Sequence, residues 1–235
     1  AVPVRATVTV CGYSLGMTTP PNRADLFSVR SPGQVLAIGM GAVAMSYLFA
    51  MIVVTAFEDP SVHVVSLVAN LAGMVAVPLL YLTRHGLPLA DTLRLAPIAI
   101  PQSLWLAGIT VALLPAVLAL AAWNQSLVAP PPEYLESVAR AMPDTAGDWV
   151  WAVVSLVLIG PIAEEIVFRG LVQQAARVVG GRLTAIVFTA LVFAVWHGQL
   201  WNLASLTLVG FFLGVVFEAT GSTLAPILVH AVYNL

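Results

Sequence analysis

The sequence predicts an all-α fold, a polytopic bundle of about seven transmembrane helices, from two observations. Apolar residues make up 60% of the 235 residues, charged residues only 9%, and the mean hydropathy is +0.98. The apolar residues also fall in runs of about 20, the length of helix that crosses the hydrocarbon core of a bilayer. The formal net charge of −2 gives no indication of nucleic-acid binding.

Polar segments divide these runs into four regions. Residues 1–34 contain prolines that discourage a continuous helix and are expected to form an N-terminal cytoplasmic arm. Residues 35–123 are expected to hold three accessory transmembrane helices, and residues 124–147 an extracytoplasmic loop. The last region, 148–235, is expected to hold four more spans that enclose a site. The expected spans are about 35–57, 62–82, 97–123, 149–180, 183–197, 200–218 and a short one at 224–235.

The placement of arginine predicts the orientation in the membrane. All nine cationic residues are arginine, which favours a prokaryotic source. One side of the predicted bundle receives most of them, and the other side receives only Arg140. Because cytoplasmic loops are enriched in cationic residues, we expect a multi-pass cell-membrane protein with a cytoplasmic N-terminus. The arginines on the expected cytoplasmic side are Arg5, Arg23, Arg30, Arg84, Arg94, Arg177 and Arg182.

The segment GPIAEEIVFRG, residues 160–170, places three ionisable residues within an apolar helix. Each costs about 2.5–3.5 kcal/mol near the centre of a membrane helix, so such residues usually have a function. Glu165 and Arg169 are four residues apart and can pair on one helix face. Glu164 points about 100° away and is free to face a cavity as a general base. The structural alternative is an ion pair that only holds helices together.

Two histidines are spaced to meet Glu164. Glu164 and His197 are 33 residues apart, and the midpoint falls at Gly180 and Gly181. An antiparallel hairpin that turns there places both about 24 Å from the turn. His230 lies about 14 Å from the next turn on that side, near Gly221. We therefore expect one polar level, about 14 Å below the cytoplasmic face.

Asn234 follows His230 by four residues and shares its helix face. Glu164 would take a proton from water that His197 orients, and His230 and Asn234 would donate hydrogen bonds to the oxyanion. This arrangement predicts peptide hydrolysis. Phe193, four residues before His197, is expected to pack beside it, and His63 is expected to be solvated near the opposite surface.

Three motifs resemble the signature of the CPBP family, the CAAX proteases and bacteriocin-processing enzymes that include the type II CAAX prenyl endopeptidases. EEIVFR at 164–169 resembles EExxxR, FAVWH at 193–197 resembles FxxxH, and HAVYN at 230–234 resembles HxxxN. The resemblance covers about 148–235 and implies that this region is the catalytic core of an intramembrane endopeptidase. It implies a substrate that is a membrane-associated or prenylated peptide or protein.

The resemblance also implies residue roles and raises the question of a metal. The counterparts of Glu164, His197, His230 and Asn234 form the site, and those of Glu165 and Arg169 support it. The family is often labelled a metalloprotease, and Glu164, His197 and His230 can bind Zn²⁺ with one position open. We favour water activated by glutamate without a metal, because Asn234 is a poor zinc ligand but a good carbonyl donor.

Three other functions stay open on the sequence alone. One is a non-catalytic membrane peptide-binding scaffold or immunity factor of the same fold. Another is a proton-coupled transporter or channel, since intramembrane glutamate and histidine also form proton relays. The third is a haem b protein with His197 and His230 as axial ligands. The oligomeric state is not indicated by the sequence.

Overall fold

The structure is a computed structural model that describes residues 30–235, Phe27 and the backbone of two short segments near the N-terminus. These segments are strands β1 (Val8–Val10) and β2 (Tyr13–Leu15), which pair antiparallel with Val10 opposite Tyr13. They add a hairpin to the predicted all-α fold. Most of the predicted N-terminal arm lies outside the described residues, so the prediction for that arm stays a prediction.

The rest of the described chain contains eight helices joined by short loops. Five helical segments are long and apolar enough to cross a membrane. The protein is thus a multi-pass membrane protein, as its composition predicts. The 3₁₀ turn Leu200–Asn202 leads into the seventh helix and counts toward its span. The helices are α1 (Pro32–Ala56), α2 (Val62–Arg84), α3 (Leu89–Thr92), α4 (Ile100–Leu127), α5 (Pro132–Ala141), α6 (Ala146–Trp196), α7 (Leu203–Thr220) and α8 (Leu224–Asn234).

A sharp turn at Gly181 divides α6 into two arms. Gly181 has φ 78° and ψ −175°, a backbone conformation that glycine adopts without the steric cost of a Cβ. The first arm (146–180) and the second arm (182–196) therefore form the hairpin predicted from the Gly180 and Gly181 pair. Counted this way, all seven predicted spans are helical, and the last of them is the short helix α8.

Two of the long helices contain π-helical stretches. They are Ala69–Ala76 in α2, and Val153–Ile159 and Phe168–Gln173 in the first arm of α6. A π-helical turn bonds residue i to i+5 and so rotates the following side chains relative to an α-helix. Such stretches are frequent at functional sites, and these three contribute side chains to the site described below.

Close contacts and ion pairs hold the helices of the bundle together. Gly73 in the π-helical stretch of α2 lies so near α1 that a Cβ there would meet Ser46 Cα at 2.4 Å. At the Gly181 end of the bundle, Arg177 pairs with Glu218, and Arg182 Nε lies 3.3 Å from the same carboxylate. Glu218 is near the end of α7, so these ion pairs hold both arms of α6 against α7.

Candidate active site

A fully buried ion pair lies at the centre of the bundle. Arg169 Nη1 donates to Glu165 Oε1 at 2.8 Å, and both side chains are completely buried. Arg169 Nη2 donates to the carbonyl oxygen of Gly210 in α7, also at 2.8 Å. Both charges have left water, so each depends on the other and on these hydrogen bonds.

The Gly210 and Gly214 step of α7 accommodates this pair. Gln173, four residues after Arg169, donates to the carbonyl oxygen of Gly214 at 3.0 Å. A Cβ at Gly210 would lie 3.1 Å from the backbone of Ala190 in the second arm of α6. The small residues Gly210 and Gly214 therefore let α7 approach both arms of α6, as glycines four apart do in membrane helices.

Glu165 also orients His230. His230 Nδ1 lies 2.9 Å from Glu165 Oε1, the oxygen that accepts from Arg169. A carboxylate paired with arginine accepts hydrogen bonds, so Nδ1 carries the proton. In a neutral His230 ring, Nε2 is then a hydrogen-bond acceptor.

The FxxxH spacing orients His197 in the same way. His197 Nδ1 lies 2.7 Å from the carbonyl oxygen of Phe193, and a carbonyl can only accept. His197 Nε2 is therefore an acceptor in the neutral ring. The Phe193 ring packs 4.6 Å from His197 and 5.7 Å from His230, and Arg169 Cζ lies 5.1 Å from its centre. The Phe193 ring thus packs against both imidazoles and against the guanidinium.

Glu164 completes a group of three converging acceptors. Its Oε2 atom lies 3.8 Å from His197 Nε2 and 3.9 Å from His230 Nε2. This oxygen is buried and has no hydrogen-bond partner in the described part of the chain. A water molecule about 2.8 Å from Glu164 Oε2 can also lie within hydrogen-bond reach of either Nε2 atom, because each of them is less than 4 Å from that oxygen. The group can therefore hold and polarise a water.

A cavity of about 270 Å³ lies against this group. Asn234 lines it, and Asn234 Nδ2 donates to the carbonyl oxygen of Leu156 at 2.9 Å, which leaves one amide N–H for another acceptor. The lining residues are Ser66, Asn70, Ser155, Leu156, Gly160, Glu164, Phe193, His197, Gln199, Leu206, Val209, His230, Tyr233 and Asn234. The structure thus brings all four predicted site residues to one cavity.

One prediction about the position of the site needs correction. The last four spans do not enclose the cavity alone, because Ser66 and Asn70 of α2 also line it. The cavity lies toward the end of the bundle that carries α5, away from the Gly181 turn, and its depth below the cytoplasmic face stays a prediction. The second arm of α6 is short and ends at Trp196, so His197 and Gln199 lie in the loop beside α5. Tyr134 of α5 donates to Gln199 at 3.4 Å.

The prediction for His63 is wrong, and Ser155 is a cavity residue that the sequence did not indicate. His63 is buried rather than solvated, and its Nδ1 lies 3.0 Å from Ser155 Oγ. Ser155 in turn lines the cavity. Asn70 also lines the cavity. An amide within an apolar membrane span is unusual enough to indicate a polar site there.

The three acceptors are spaced somewhat widely for zinc. Two ligand atoms bound to tetrahedral zinc at about 2.0–2.1 Å lie about 3.4 Å apart. The measured separations of 3.8 and 3.9 Å would have to shrink by about half an ångström. Among the described residues, no group of three or more His, Cys, Asp or Glu side chains is close enough to hold a metal as it stands. The donor set itself, two imidazoles and a carboxylate, is one that zinc accepts.

The fold and this geometry define a multi-pass membrane protein with a carboxylate and two imidazoles around a cavity inside its helix bundle. Residues 146–235 match the family model of the type II CAAX prenyl endopeptidase Rce1-like proteins. The match confirms the resemblance to the CAAX proteases seen in the three motifs. No curated protein and no solved structure matches the chain.

Replacing Arg169 by Met should destabilise the protein severely. The change leaves the Glu165 carboxylate buried without its cation, which costs about 3–5 kcal/mol of the free energy of unfolding. Unfolding of the purified protein in a detergent mixture measures the loss. Arg140→Met is the control, because Arg140 is exposed on α5, and we expect a change within about 0.5 kcal/mol.

A second variant separates the lost charge pair from lost packing. Glu165→Leu combined with Arg169→Met removes both charges and should recover part of the stability. The recovery is incomplete because His230 Nδ1 loses its acceptor. An Arg169→Met protein as stable as Arg140→Met would contradict the structural role of the ion pair.

Proposed function

We propose that this protein is an intramembrane endopeptidase in which Glu164 activates water to cleave a membrane-associated peptide. The observation that carries the proposal is the convergence of Glu164 Oε2 with the Nε2 atoms of His197 and His230 at 3.8 and 3.9 Å. The family match at 146–235 supports the same class of reaction. A non-catalytic scaffold would not need Glu164 Oε2 to be buried without a hydrogen-bond partner among the described residues.

Water activation uses Glu164 and the neutral His197. The water donates one O–H to His197 Nε2, which orients it, and the other proton passes to Glu164 Oε2. The hydroxide oxygen forms a bond to the carbonyl carbon of the scissile peptide, and the carbonyl oxygen becomes an oxyanion. Because Glu164 is held inside the bundle, few competing waters reach the reacting atoms.

His230 in its imidazolium form is the proposed oxyanion donor. Its proton on Nδ1 faces Glu165, so a second proton on Nε2 faces the cavity. With that proton, the charges of Glu164, Glu165, Arg169 and His230 sum to zero. The remaining N–H of Asn234 is the second donor.

Collapse of the tetrahedral intermediate completes the reaction. The carbon–nitrogen bond breaks, and protonated Glu164 gives its proton to the departing amine. The products are a carboxylic acid and an amine, and Glu164 returns to the ionised state. If a zinc ion is bound, Glu164, His197 and His230 would hold it, and the ion would supply Lewis acidity to the water or the carbonyl.

The proposed substrate is a peptide or protein associated with the bilayer, and a prenylated peptide is one member of that class. Leu156, Leu206 and Val209 supply an apolar lining to the cavity. The matched family is named for its CAAX prenyl substrates. We extend to this chain only the membrane-associated peptide chemistry.

We also propose that the N-terminus is cytoplasmic. Arg177 and Arg182 lie at the Gly181 end, and cytoplasmic ends are the cation-rich ones. The cavity then lies in the half of the bundle that faces the extracytoplasmic side.

Glu164→Gln should abolish cleavage. Glutamine keeps the shape of the side chain and removes the base, so kcat should fall by about 10³-fold or more. The measurement uses purified protein in nanodiscs and an internally quenched peptide library. Parallel reactions contain a zinc chelator.

The matched control for this variant is Glu136→Gln, an exposed glutamate of α5, which should retain full activity. Cleavage that survives chelation supports the metal-free mechanism, and loss on chelation assigns the reaction to zinc. Wild-type rates in Glu164→Gln would contradict the proposal. Binding of library peptides without cleavage by the wild type would favour the scaffold or immunity-factor reading.

Cysteine labelling in intact cells tests the orientation. In a Cys11→Ser background, Glu136→Cys on α5 should react with a membrane-impermeant maleimide. Val179→Cys, beside the Gly181 turn and 79% exposed, should react only after the membrane is opened. The reverse labelling pattern would invert the proposed topology.

A further inference from the structure

One wall of the cavity comes from a helix outside the family-matched segment. Ser66 and Asn70 of α2 line the cavity, whereas the family match covers only 146–235. Asn70 Nδ2 lies 3.2 Å from Ser66 Oγ, so the two side chains lie on one side of the helix. Asn70 is only 7% exposed, although it is an amide within a membrane span.

The Asn70 side chain has hydrogen-bonding capacity to spare. Its Nδ2 donates to Ser66 Oγ at 3.2 Å, the one hydrogen bond of this side chain in the part of the chain that the structure describes. A carboxamide has two N–H donors and an accepting oxygen. One N–H and the oxygen are therefore free to bind a ligand in the cavity.

Gly160 leaves open the space between Asn70 and the proposed base. A Cβ at Gly160 would lie 4.0 Å from Asn70 Nδ2 and 4.0 Å from Glu164 Oε1. It would also lie 3.2 Å from the carbonyl oxygen of Ser155. Asn70 and Glu164 thus border the same gap, and a group bound by Asn70 would lie next to the Glu164 carboxylate.

The polar side chains of His197, His230 and Asn234, which also line the cavity, already belong to the proposed catalytic group. His197 and His230 face Glu164 through Nε2, and Asn234 gives one N–H to Leu156. Asn234 keeps one N–H and its oxygen, but that N–H is the proposed oxyanion donor. The free N–H and the oxygen of the Asn70 carboxamide lie side by side, and this pair complements the C=O and N–H of an extended peptide backbone.

We propose that Asn70 is a substrate-positioning residue, whose carboxamide pairs with a backbone peptide group next to the scissile bond. Ser66 holds the carboxamide in the orientation that this pairing needs. The inference rests on the proposed peptidase function. It assigns peptide-backbone recognition to α2, while the chemistry stays with the matched segment.

Steady-state kinetics of Asn70→Leu test this role. Leucine keeps the approximate shape of asparagine and removes its donor and acceptor. With an internally quenched peptide that the wild type cleaves, KM should rise about tenfold, which corresponds to about 1.4 kcal/mol, and kcat should change less than twofold. Ser66→Ala should raise KM by a smaller factor, about threefold, since the carboxamide keeps its own groups.

Thr110→Val is the matched control. Thr110 is buried in α4, its hydroxyl bonds to Leu106 O of its own helix at 2.7 Å, and it does not line the cavity. Its KM should equal that of the wild type. A purely structural role for Asn70 would lower the melting temperature of Asn70→Leu and leave KM unchanged.

A binding assay makes the test independent of turnover. Pools of dansylated octapeptides are titrated into the Glu164→Gln protein in nanodiscs, with and without Asn70→Leu. The second change should weaken binding about tenfold. Equal binding by both proteins, or no binding by either, would overturn the proposal for Asn70.

The two proposals fail in different ways. An unchanged KM in Asn70→Leu, with Glu164→Gln inactive, overturns only the role of Asn70. A lower kcat at constant KM also overturns it, because the interaction would then belong to the transition state. Full activity of Glu164→Gln overturns the proposed function itself, and the binding assay then decides the role of Asn70.

Discussion

The buried pair of Glu165 and Arg169 is the interaction on which the rest of the structure depends. Neither charge has access to water, so each needs the 2.8 Å bond between them and further partners around them. Arg169 finds one in the carbonyl of Gly210, which requires the close approach of α7. Glu165 finds one in His230, which places α8. Helix packing and the orientation of an imidazole thus follow from one electrostatic requirement.

Two adjacent glutamates acquire different roles because a helix turns about 100° per residue. Glu165 faces the arginine, and its Oε1 atom accepts hydrogen bonds from Arg169 and His230. Glu164 faces the cavity, where its Oε2 meets only the Nε2 atoms of two histidines. Glu165 therefore positions Arg169 and His230, and Glu164 stays available to accept a proton. This division explains why the charges are retained in an apolar helix at all.

Helical spacing was sufficient to predict the hairpin of α6, since Glu164 and His197 lie symmetrically about Gly181. The i, i+4 rule also predicted the pair of Glu165 and Arg169. The contributions of Asn70 and Ser155 were beyond such reasoning, because both lie in π-helical stretches whose side chains do not follow the α-helical period. His63 looked solvated because its partner Ser155 is 92 residues away. Only tertiary packing brings that pair together.

The most direct test of the account is the protonation pattern of the two histidines, measured by nitrogen-15 NMR of selectively labelled protein in nanodiscs. Signals are assigned with His197→Gln and His230→Gln variants. The account predicts a proton on Nδ1 of both rings, held by Phe193 O and by Glu165, and a bare Nε2 on His197 at neutral pH. A His197 ring protonated on Nε2, or a His230 ring without a proton on Nδ1, would contradict it.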